Sequence, residues 1–426
     1  MVAPARHPLV GRTIAYCAVG LALTVIHFTL LSKTLKRDLD FVFNDAQHRV
    51  GPGTDFGAYY VSAVRWRQGK GIYGHGPGFG YRYHPAFVLT AGNLLSRLDL
   101  KTAHKVWVGI NEAFLVLALI LARRLFPVAT HFLAAAAILV FFSPYYLEQY
   151  MGNCTFAAAA LLFLAFELYR SDRRVLFLGA FVASVLIKPL GLVFLPLLLL
   201  RKEFVLVGAI AVVVVATALP YFLLDPAGWN IFYKINTAPV PWKGWVIHGG
   251  NQGLNGLLVD LCTRLSGVPT KQLESLRQLP SACRFLLYAY PILLFALTVA
   301  CMVRLRESLS VGIFLCVAIY LLCYKDVWEH SYVILLPGLA YLWHSGVVNR
   351  TLILCCSIGL ALPTAFALYD PPLPPGPIDP EHVWGLGTSL VHHTTKPIWV
   401  VALFLGCLHA ALLTRGSGTP ANMASD

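Results

Sequence analysis

Charged residues are scarce in this chain. Asp, Glu, Lys and Arg make up 12% of its 426 residues, whereas a typical soluble domain carries about 25%. This scarcity argues against a water-soluble enzyme, a disordered chain and a basic nucleic-acid-binding protein. Hydrophobic residues make up 58%, and the mean hydropathy is +0.68. The composition therefore predicts an all-α polytopic membrane protein, because lipid offers no hydrogen-bond partners and helices satisfy their backbone groups internally.

Patterns that carry metal or redox chemistry are also missing. The chain has no CxxC motif, no Cys/His spacing typical of a metal site and no close acidic pair that demands a divalent metal. We therefore expect no metal and no cofactor. Eight of the ten cysteines lie within or beside apolar segments, where they pack as small hydrophobic side chains. Cys262 and Cys283 lie in or at the end of a longer segment, and a disulfide between them is a hypothesis.

Apolar runs are abundant. Twelve are present, at about 11–32, 104–122, 127–143, 154–169, 175–187, 190–200, 203–224, 284–303, 307–324, 331–345, 350–369 and 397–414. They predict about twelve transmembrane helices in a single integral membrane domain over 1–426, with both termini on one side. Between two short apolar halves, Lys188-Pro189 predicts a tight hairpin or a broken helix, because proline lacks the N–H that a helix needs.

Basic residues predict the orientation. The chain has 33 basic and 20 acidic residues, a formal charge of +13. With a cytoplasmic amino terminus, short inner loops hold thirteen basic residues, and short outer loops hold only Lys188, Lys325 and Lys396. Residues 33–103 and 225–283 then form two long outer loops, with juxtamembrane helices in the first. We expect a multi-pass protein of the cell inner (cytoplasmic) membrane whose surplus charge meets anionic membrane lipids and not nucleic acid.

The first long outer loop contains a candidate surface helix. Thr54 is expected to cap a helix that runs to about Gln68, with Asp55 in its first turn. An apolar face on this helix predicts that it lies on the membrane plane; the face consists of Phe56, Tyr59, Tyr60 and Ala63. Residues 85–98 are predicted to form a second surface helix. From spacing alone, Asp55 is either a functional residue or only a favourable residue at a helix start.

Two further clusters combine aromatic and amide side chains, as carbohydrate sites do. In the segment 145–153, Gln149 and Asn153 are candidates for hydrogen bonds to sugar hydroxyls. In the segment 242–255, Trp245 is a candidate for stacking on a sugar, with Asn251 and Gln252 binding its hydroxyls. The alternatives are an interfacial aromatic belt for the first cluster and an interfacial loop for the second.

A fourth cluster, at 325–330, places four ionisable residues among six between two apolar segments. Lys325 or protonated His330 is a candidate to bind a phosphate, and Asp326 or Glu329 is a candidate to orient a partner. Plain charge pairing at the membrane boundary is the alternative. All these clusters fall on the predicted outer face, which favours an enzyme working there.

Together these residues resemble the bacterial membrane glycosyltransferases of the GT-C class, and within it family 87, the polyprenyl-phosphate-mannose-dependent α-mannosyltransferases. The resemblance covers roughly residues 10 to 370. The matching elements are Asp55-Phe56 with Tyr59-Tyr60, Gly71-Ile72-Tyr73, Tyr83-His84-Pro85, Gln149 and Asn153, Lys188-Pro189, Gly250-Asn251-Gln252-Gly253-Leu254, and Glu329-His330. The sequence departs from the family at Tyr83-His84-Pro85, where Tyr-Pro-Pro is usual.

The resemblance implies GT-C architecture, a lipid-linked sugar donor and a metal-independent reaction outside the cytoplasmic membrane. It also implies a catalytic aspartate in the first outer loop, which is Asp55 here, and a histidine near the donor phosphate or the acceptor, which is His330. Asp40 and Asp45 are nearby competitors for the role of base.

The chemistry agrees with these residues. A sugar on a polyprenyl phosphate is already activated, so one carboxylate that deprotonates an acceptor hydroxyl suffices for the proton transfer. A single displacement inverts a β-linked donor to an α product. Positive charge at the leaving phosphate is expected from Lys325, His330, Arg82 or Lys188.

The leading hypothesis is transfer of a mannosyl residue from polyprenyl-phosphate-mannose to a glycolipid or glycan hydroxyl. One alternative is the same reaction with another polyprenyl-phosphate sugar, arabinose or glucose. A secondary transporter or lipid flippase is the alternative from a different class. Two long outer loops, which a simple transporter does not need, favour the enzyme.

Overall fold

The computed structural model describes residues 8–38, 51–74, 80–237, 252–267, 276–306, 308–324, 327–364 and 385–413, and within these ranges it is helical without a β-strand. The first helices in chain order are α1 (Pro8–Leu35), α2 (Thr54–Arg67), α3 (Pro85–Leu95), α4 (Leu100–Leu125), α5 (Ala129–Val140), α6 (Ser143–Met151), α7 (Thr155–Arg170), α8 (Arg174–Ile187) and α9 (Pro189–Leu200). They are followed by α10 (Phe204–Leu224), α11 (Pro226–Thr237), α12 (Leu254–Ser266), α13 (Ser281–Arg304), α14 (Leu309–Cys323), α15 (Leu335–Ser345), α16 (Arg350–Ala361), α17 (Leu386–Thr394) and α18 (Pro397–Leu413).

Among the described residues, each of the twelve predicted apolar segments contains a helix, although the helix in the segment 350–369 ends at Ala361. Four of these helices are long and apolar enough to cross a membrane, within Thr13–Leu35, Leu100–Leu125, Phe204–Leu224 and Ser281–Arg304. A fifth span results if α5 and α6, which meet at a bend of 48°, are counted as one. Six other apolar helices are shorter. The all-α membrane fold is therefore confirmed, whereas the count of about twelve spans is not.

Antiparallel helices form the centre of the bundle. Helices α7 and α8 pack along each other, and the Ser184 hydroxyl donates a hydrogen bond to the Ala158 carbonyl between them (2.9 Å). We call the end of the bundle where α7 begins and α8 ends the site end. At the opposite end Arg174 pairs with Glu203 (2.7 Å) beside the turns that follow α7 and α9.

Helix α8 ends at Ile187, as the Lys188-Pro189 step predicts. Lys188 is extended, with φ −149° and ψ 128°, and the next residues form a 3₁₀ turn, Pro189–Phe194, before α9 becomes α-helical. Pro189 begins this turn, where its missing N–H costs no helical hydrogen bond. The break leaves the Lys188 side chain at the site end.

Helix α2 corrects two details of the sequence interpretation. Its N-cap residue is Gly53 and not Thr54, because the Thr54 hydroxyl donates to the Gly51 carbonyl (2.6 Å). Its apolar face also packs within the protein: Phe56, Tyr59 and Ala63 are all buried in a cluster rich in aromatic side chains. The ring of Phe56 stacks on that of Trp107 at 6.3 Å between centroids. The apolar face therefore packs α2 against α4, and the position of the helix relative to the membrane stays a prediction.

Residues 85–98, predicted as a second surface helix, contain α3, which has a π-helical turn at Val88–Gly92; its position on the membrane surface stays a prediction. Cys262 and Cys283 are free thiols that contact each other, so the hypothetical disulfide is not formed.

Candidate active site

The turn between α6 and α7 places Asn153 at the site end. Helix α6 ends at Met151, and its C-cap residue, Gly152, lies in the left-handed region (φ 66°). The Asn153 N–H donates to the Glu148 carbonyl (3.1 Å). A Cβ atom on Gly152 would lie 2.6 Å from the Cβ of Phe56 and 2.9 Å from the ring of His104. Helices α2 and α4 thus approach the turn so closely that only glycine fits.

Hydrogen bonds fix the orientation of the Asn153 carboxamide. Its Oδ1 accepts from the Cys154 N–H (2.7 Å), the Thr155 N–H (3.1 Å) and the Thr155 hydroxyl (2.8 Å), so it binds the residues at which α7 begins. The Lys188 ammonium donates to the same oxygen (3.0 Å). Because every one of these partners is a donor, the oxygen must face them and the nitrogen must point the other way.

On its nitrogen side Asn153 joins the two residues predicted to be catalytic. Its Nδ2 donates to Asp55 Oδ2 (2.5 Å) and lies 3.0 Å from His330 Nε2. Asp55 is partly exposed in the first turn of α2, whereas His330 is 4% exposed. Residues 98 and 177 positions from Asn153 in the chain therefore meet at one amide nitrogen.

The contact with Asn153 determines the tautomer of His330. An amide nitrogen donates hydrogen bonds and does not accept them, so Nε2 of His330 must accept and its proton must reside on Nδ1. Burial and the positive charges of Lys188 and Arg82 lower the pKa of His330 well below its ordinary value, which also favours the neutral ring. Nδ1 is buried and has no hydrogen-bond partner among the described residues. The site thus presents a neutral N–H donor.

Lys188 supplies a buried positive charge next to this donor. Its side chain is 7% exposed, and its ammonium donates to the Thr155 hydroxyl (2.5 Å) and lies 5.4 Å from the centroid of the Tyr83 ring. Burial alone would lower the pKa of Lys188, but the neighbouring Tyr83, Cys154, Glu148 and Asp55 outweigh it and raise the pKa above its usual value. The ammonium therefore stays charged inside the site.

Glu148 is a member of this region that sequence reasoning did not select. The side chain is fully buried, and its Oε1 accepts from the Phe156 N–H in the first turn of α7 (2.7 Å). The carboxyl oxygen there satisfies an N–H of the first helical turn, which has no partner within the helix itself. An acidic residue in an otherwise apolar stretch is the signal that would have found it.

Other predicted binding residues lie around the cluster. Gln149 is fully buried, and neither atom of its carboxamide has a partner among the described residues. Gln252 is also buried. Its backbone N–H donates to the Val327 carbonyl (2.6 Å), and its backbone carbonyl accepts from the Tyr332 hydroxyl (2.8 Å). Arg82 is half-buried, and its positive charge contributes to lowering the pKa of His330.

Glu329 lies in a buried ion pair, and its predicted binding role stays a prediction. Its carboxylate lies 3.2 Å from the Lys396 ammonium and accepts from the Ser143 hydroxyl (2.9 Å). Both charged side chains are fully buried. Lys396, which the sequence reasoning used only to predict topology, is thus the partner of a predicted site residue.

Some predicted residues lie outside the described ranges, namely Asp40, Asp45, Trp245, Asn251, Lys325 and Asp326. Their predicted roles stay predictions. Within the described part of the chain, no three His, Cys, Asp or Glu side chains are grouped so that they could hold a metal ion.

Comparison with known protein families identifies a relationship for this chain. The sequence model of Glycosyltransferase family 87 matches residues 81–324, which is more than half of the chain. The matched range contains Arg82, Gln149, Asn153, Lys188 and Gln252, whereas Asp55 and His330 lie on either side of it. No curated protein matches.

Proposed function

The chain belongs to Glycosyltransferase family 87 and is a membrane glycosyltransferase, and we propose that it transfers a mannosyl residue from polyprenyl-phosphate-mannose to a hydroxyl of a glycolipid or glycan. The observation that carries the proposed mechanism is the Asn153 nitrogen shared by Asp55 and His330. Family membership removes the transporter or flippase from consideration.

Asp55 is the general base of the proposed reaction. Its carboxylate takes the proton of the acceptor hydroxyl while that oxygen attacks the anomeric carbon of the donor. The Asn153 N–H holds the carboxylate in position, and partial exposure leaves it accessible to an acceptor. Positioning and base catalysis together supply several powers of ten in rate.

His330 and Lys188 act on the leaving group. As the bond between the anomeric carbon and the phosphate oxygen breaks, the phosphate gains negative charge. The Nδ1–H of His330 donates to a phosphate oxygen, and the buried Lys188 ammonium offsets the charge, with Arg82 and Lys325 as further cations. Donors already oriented in a site of low dielectric stabilise such charge without reorganising. Because one displacement occurs, the anomeric configuration inverts.

The sugar itself is bound by the amide side chains. The buried carboxamide of Gln149 offers a donor and an acceptor for its hydroxyls. Asn251, Gln252 and Trp245 are proposed to complete this subsite from the segment before α12. Arabinose or glucose on the same lipid carrier would use the same groups, and a comparison of the three donors distinguishes them.

We also propose that the site end faces the outside of the inner membrane and that the shorter apolar helices complete a GT-C bundle of about twelve spans. Supporting this orientation, the opposite end carries the turns rich in basic residues, including Arg173, Arg174, Arg201 and Lys202.

The decisive experiment replaces the proposed base without changing its shape. Membranes containing the enzyme are incubated with labelled polyprenyl-phosphate-mannose, and the mannosylated product is identified. We expect Asp55→Asn to reduce transfer by roughly 10²- to 10⁴-fold, the usual contribution of a general base.

Asp99→Asn is the matched control. Asp99 caps α4 through the Thr102 N–H (3.0 Å), and asparagine caps a helix equally well. This variant should transfer normally. Near-normal transfer by Asp55→Asn would refute Asp55 as the base, and absence of product from the unmodified enzyme with all three sugar donors would refute the donor class.

A further inference from the structure

Tyr83 is part of the Tyr83-His84-Pro85 motif, to which the proposed reaction assigns no role. It lies in the loop before α3 and is half-buried. The ammonium of Lys188 lies over its ring, 5.4 Å from the centroid. A cation over the face of an aromatic ring is attracted by the negative potential of that face. The ring therefore covers one side of the buried positive charge in the candidate active site.

Neighbouring tyrosines fix the position of Tyr83. The Tyr73 hydroxyl donates to the Tyr83 carbonyl (3.0 Å), and the Tyr81 hydroxyl donates to the His84 carbonyl (2.5 Å). The rings of Tyr59 and Tyr81 pack against the ring of Tyr83, at 6.0 and 5.9 Å between centroids. These three neighbours are themselves buried. Both the backbone and the ring of Tyr83 are thus held in place beside Lys188.

The hydroxyl of Tyr83 differs from the hydroxyls of these neighbours. Tyr73 and Tyr81 donate to backbone carbonyls, and the Tyr59 hydroxyl contacts the Cys154 thiol (3.5 Å). The Tyr83 hydroxyl has no hydrogen-bond partner in the described part of the chain. A phenol hydroxyl can donate one hydrogen bond. Of these four tyrosines, the one that contacts Lys188 therefore has a donor to offer a ligand.

Lys188 has a donor to offer as well. An ammonium has three N–H groups, and among the described residues they have two acceptors, Asn153 Oδ1 (3.0 Å) and the Thr155 hydroxyl (2.5 Å). Arg82 adds positive charge: after burial, the charges of Lys188 and Arg82 are what lower the pKa of His330. Cations combined with hydrogen-bond donors are the groups that bind a phosphate.

We propose that the Tyr83 hydroxyl donates a hydrogen bond to the phosphate of the lipid-linked donor, beside the Lys188 ammonium. The inference rests on the proposed function, in which this phosphate is the leaving group. As its bond to the anomeric carbon breaks, the bonding electrons stay on the phosphate oxygen, and the Tyr83 proton stays on the hydroxyl. The growing negative charge strengthens the hydrogen bond. Tyr83 therefore stabilises the transition state and the released polyprenyl phosphate more than the bound donor.

The test removes this hydroxyl and keeps the ring. Tyr83→Phe retains the face that covers Lys188. Membranes containing the enzyme are supplied with labelled polyprenyl-phosphate-mannose, and free polyprenyl phosphate, the lipid product, is added as an inhibitor. Loss of a hydrogen bond to a charged group should raise the Ki of polyprenyl phosphate by roughly 10- to 100-fold and lower kcat. KM for the donor should change less, because its phosphate carries less negative charge.

Tyr60→Phe is the matched control. It removes a hydroxyl from α2 that donates to the Leu98 carbonyl (2.7 Å), so it makes the same chemical change at a hydroxyl that the protein itself uses. This variant should keep the Ki and kcat of the unmodified enzyme. The midpoint of thermal unfolding of Tyr83→Phe should also stay unchanged, because the Tyr83 hydroxyl makes no hydrogen bond within the described part of the chain.

The outcomes separate the inference from the proposed function. An unchanged Ki in Tyr83→Phe would overturn the inference and leave the proposed function intact, even if kcat fell, because the hydroxyl would then act elsewhere than on the phosphate. Equal rises of Ki in the Tyr83 and Tyr60 variants would overturn it too. If the unmodified enzyme transferred no mannose and polyprenyl phosphate did not inhibit it, the proposed function would fail, and the inference with it.

Discussion

Glu329 and Lys396 form an ion pair in which both side chains are completely buried, with 3.2 Å between the carboxylate oxygen and the ammonium. Lys396 also donates to the carbonyls of Leu360 (2.7 Å) and Leu362, where α16 ends. Its positive charge thus meets the negative end of the α16 dipole. The pair joins the start of α18, the end of α16 and the residue before His330.

Removal of one partner of this pair is expected to be costly. Lys396→Met leaves the Glu329 carboxylate buried without its cation, and such a change typically costs about 3–5 kcal/mol. The midpoint of thermal unfolding of the purified protein should fall accordingly. Transfer should fall as well, because the segment that carries His330 loses its anchor.

The double variant Glu329→Gln, Lys396→Met is the control for this prediction. It removes both charges, and neutral replacements of buried pairs are often well tolerated. We expect it to recover most of the lost stability. A double variant no more stable than Lys396→Met would contradict the ion-pair interpretation.

Gly152 should tolerate no side chain. Gly152→Ala carries the strain of a left-handed residue, about 1–2 kcal/mol, and in addition its Cβ meets Phe56 and His104 at under 3.0 Å. Since Asn153 follows directly, the variant should both unfold more easily and transfer sugar more slowly.

Gly69→Ala separates the backbone strain from the close contacts of the added Cβ atom. Gly69 has nearly the same backbone angle (φ 69°), but nothing lies within 4 Å of a Cβ placed there. It should show the strain alone, with normal transfer. Equal destabilisation of the two variants would show that the close approach of α2 and α4 to Gly152 has no energetic consequence.

The sequence identifies candidate residues of the site but does not predict which of them contact each other. Asp55, Asn153, Lys188 and His330 were each selected from short local patterns. What brings them together is the start of α7, where Asn153 Oδ1 accepts from backbone and side-chain donors and Nδ2 contacts Asp55 and His330. No local periodicity encodes contacts across 98 or 177 residues.

Helix positions were predicted better than their surroundings. Every predicted membrane segment contains a helix among its described residues. An apolar run favours a helix because a helix forms its backbone hydrogen bonds within the segment. The same reasoning failed for the face of α2, since Phe56 and Tyr59 are as suited to an aromatic protein core as to lipid. Likewise, nothing local indicates that Glu329 meets Lys396, which lies beyond helices α15, α16 and α17 in the chain.

The orientation of the site end is open to direct measurement. Lys70→Cys, in the exposed turn after α2, and Asp172→Cys, in the exposed turn after α7, lie at opposite ends of the bundle. In intact cells a membrane-impermeant maleimide should label the first variant and not the second, with the unmodified protein as background. The reverse pattern would place the site on the cytoplasmic side.

The protonation state of His330 leads to the last prediction. Its lowered pKa means that the folded protein resists protonation at pH values where the unfolded chain, with a histidine pKa of about 6.5, takes up a proton. Stability should therefore be full above about pH 6.5 and decrease as the pH falls towards the folded-state pKa. Histidine at 330 should remain neutral, and kcat/KM should show no loss from its titration near pH 6.5.

Asn153→Asp should raise the pKa of His330 instead of keeping it low. A carboxylate oxygen in place of the Nδ2 donor attracts a proton onto Nε2 of His330 and raises its pKa. The acid side of the pH profile should then move to higher pH, whereas Asn153→Leu, which adds no charge, should lower the rate without that movement. Nitrogen-15 shifts of the His330 ring report the tautomer independently, and an Nε2–H signal in the unmodified enzyme at neutral pH would contradict the assignment.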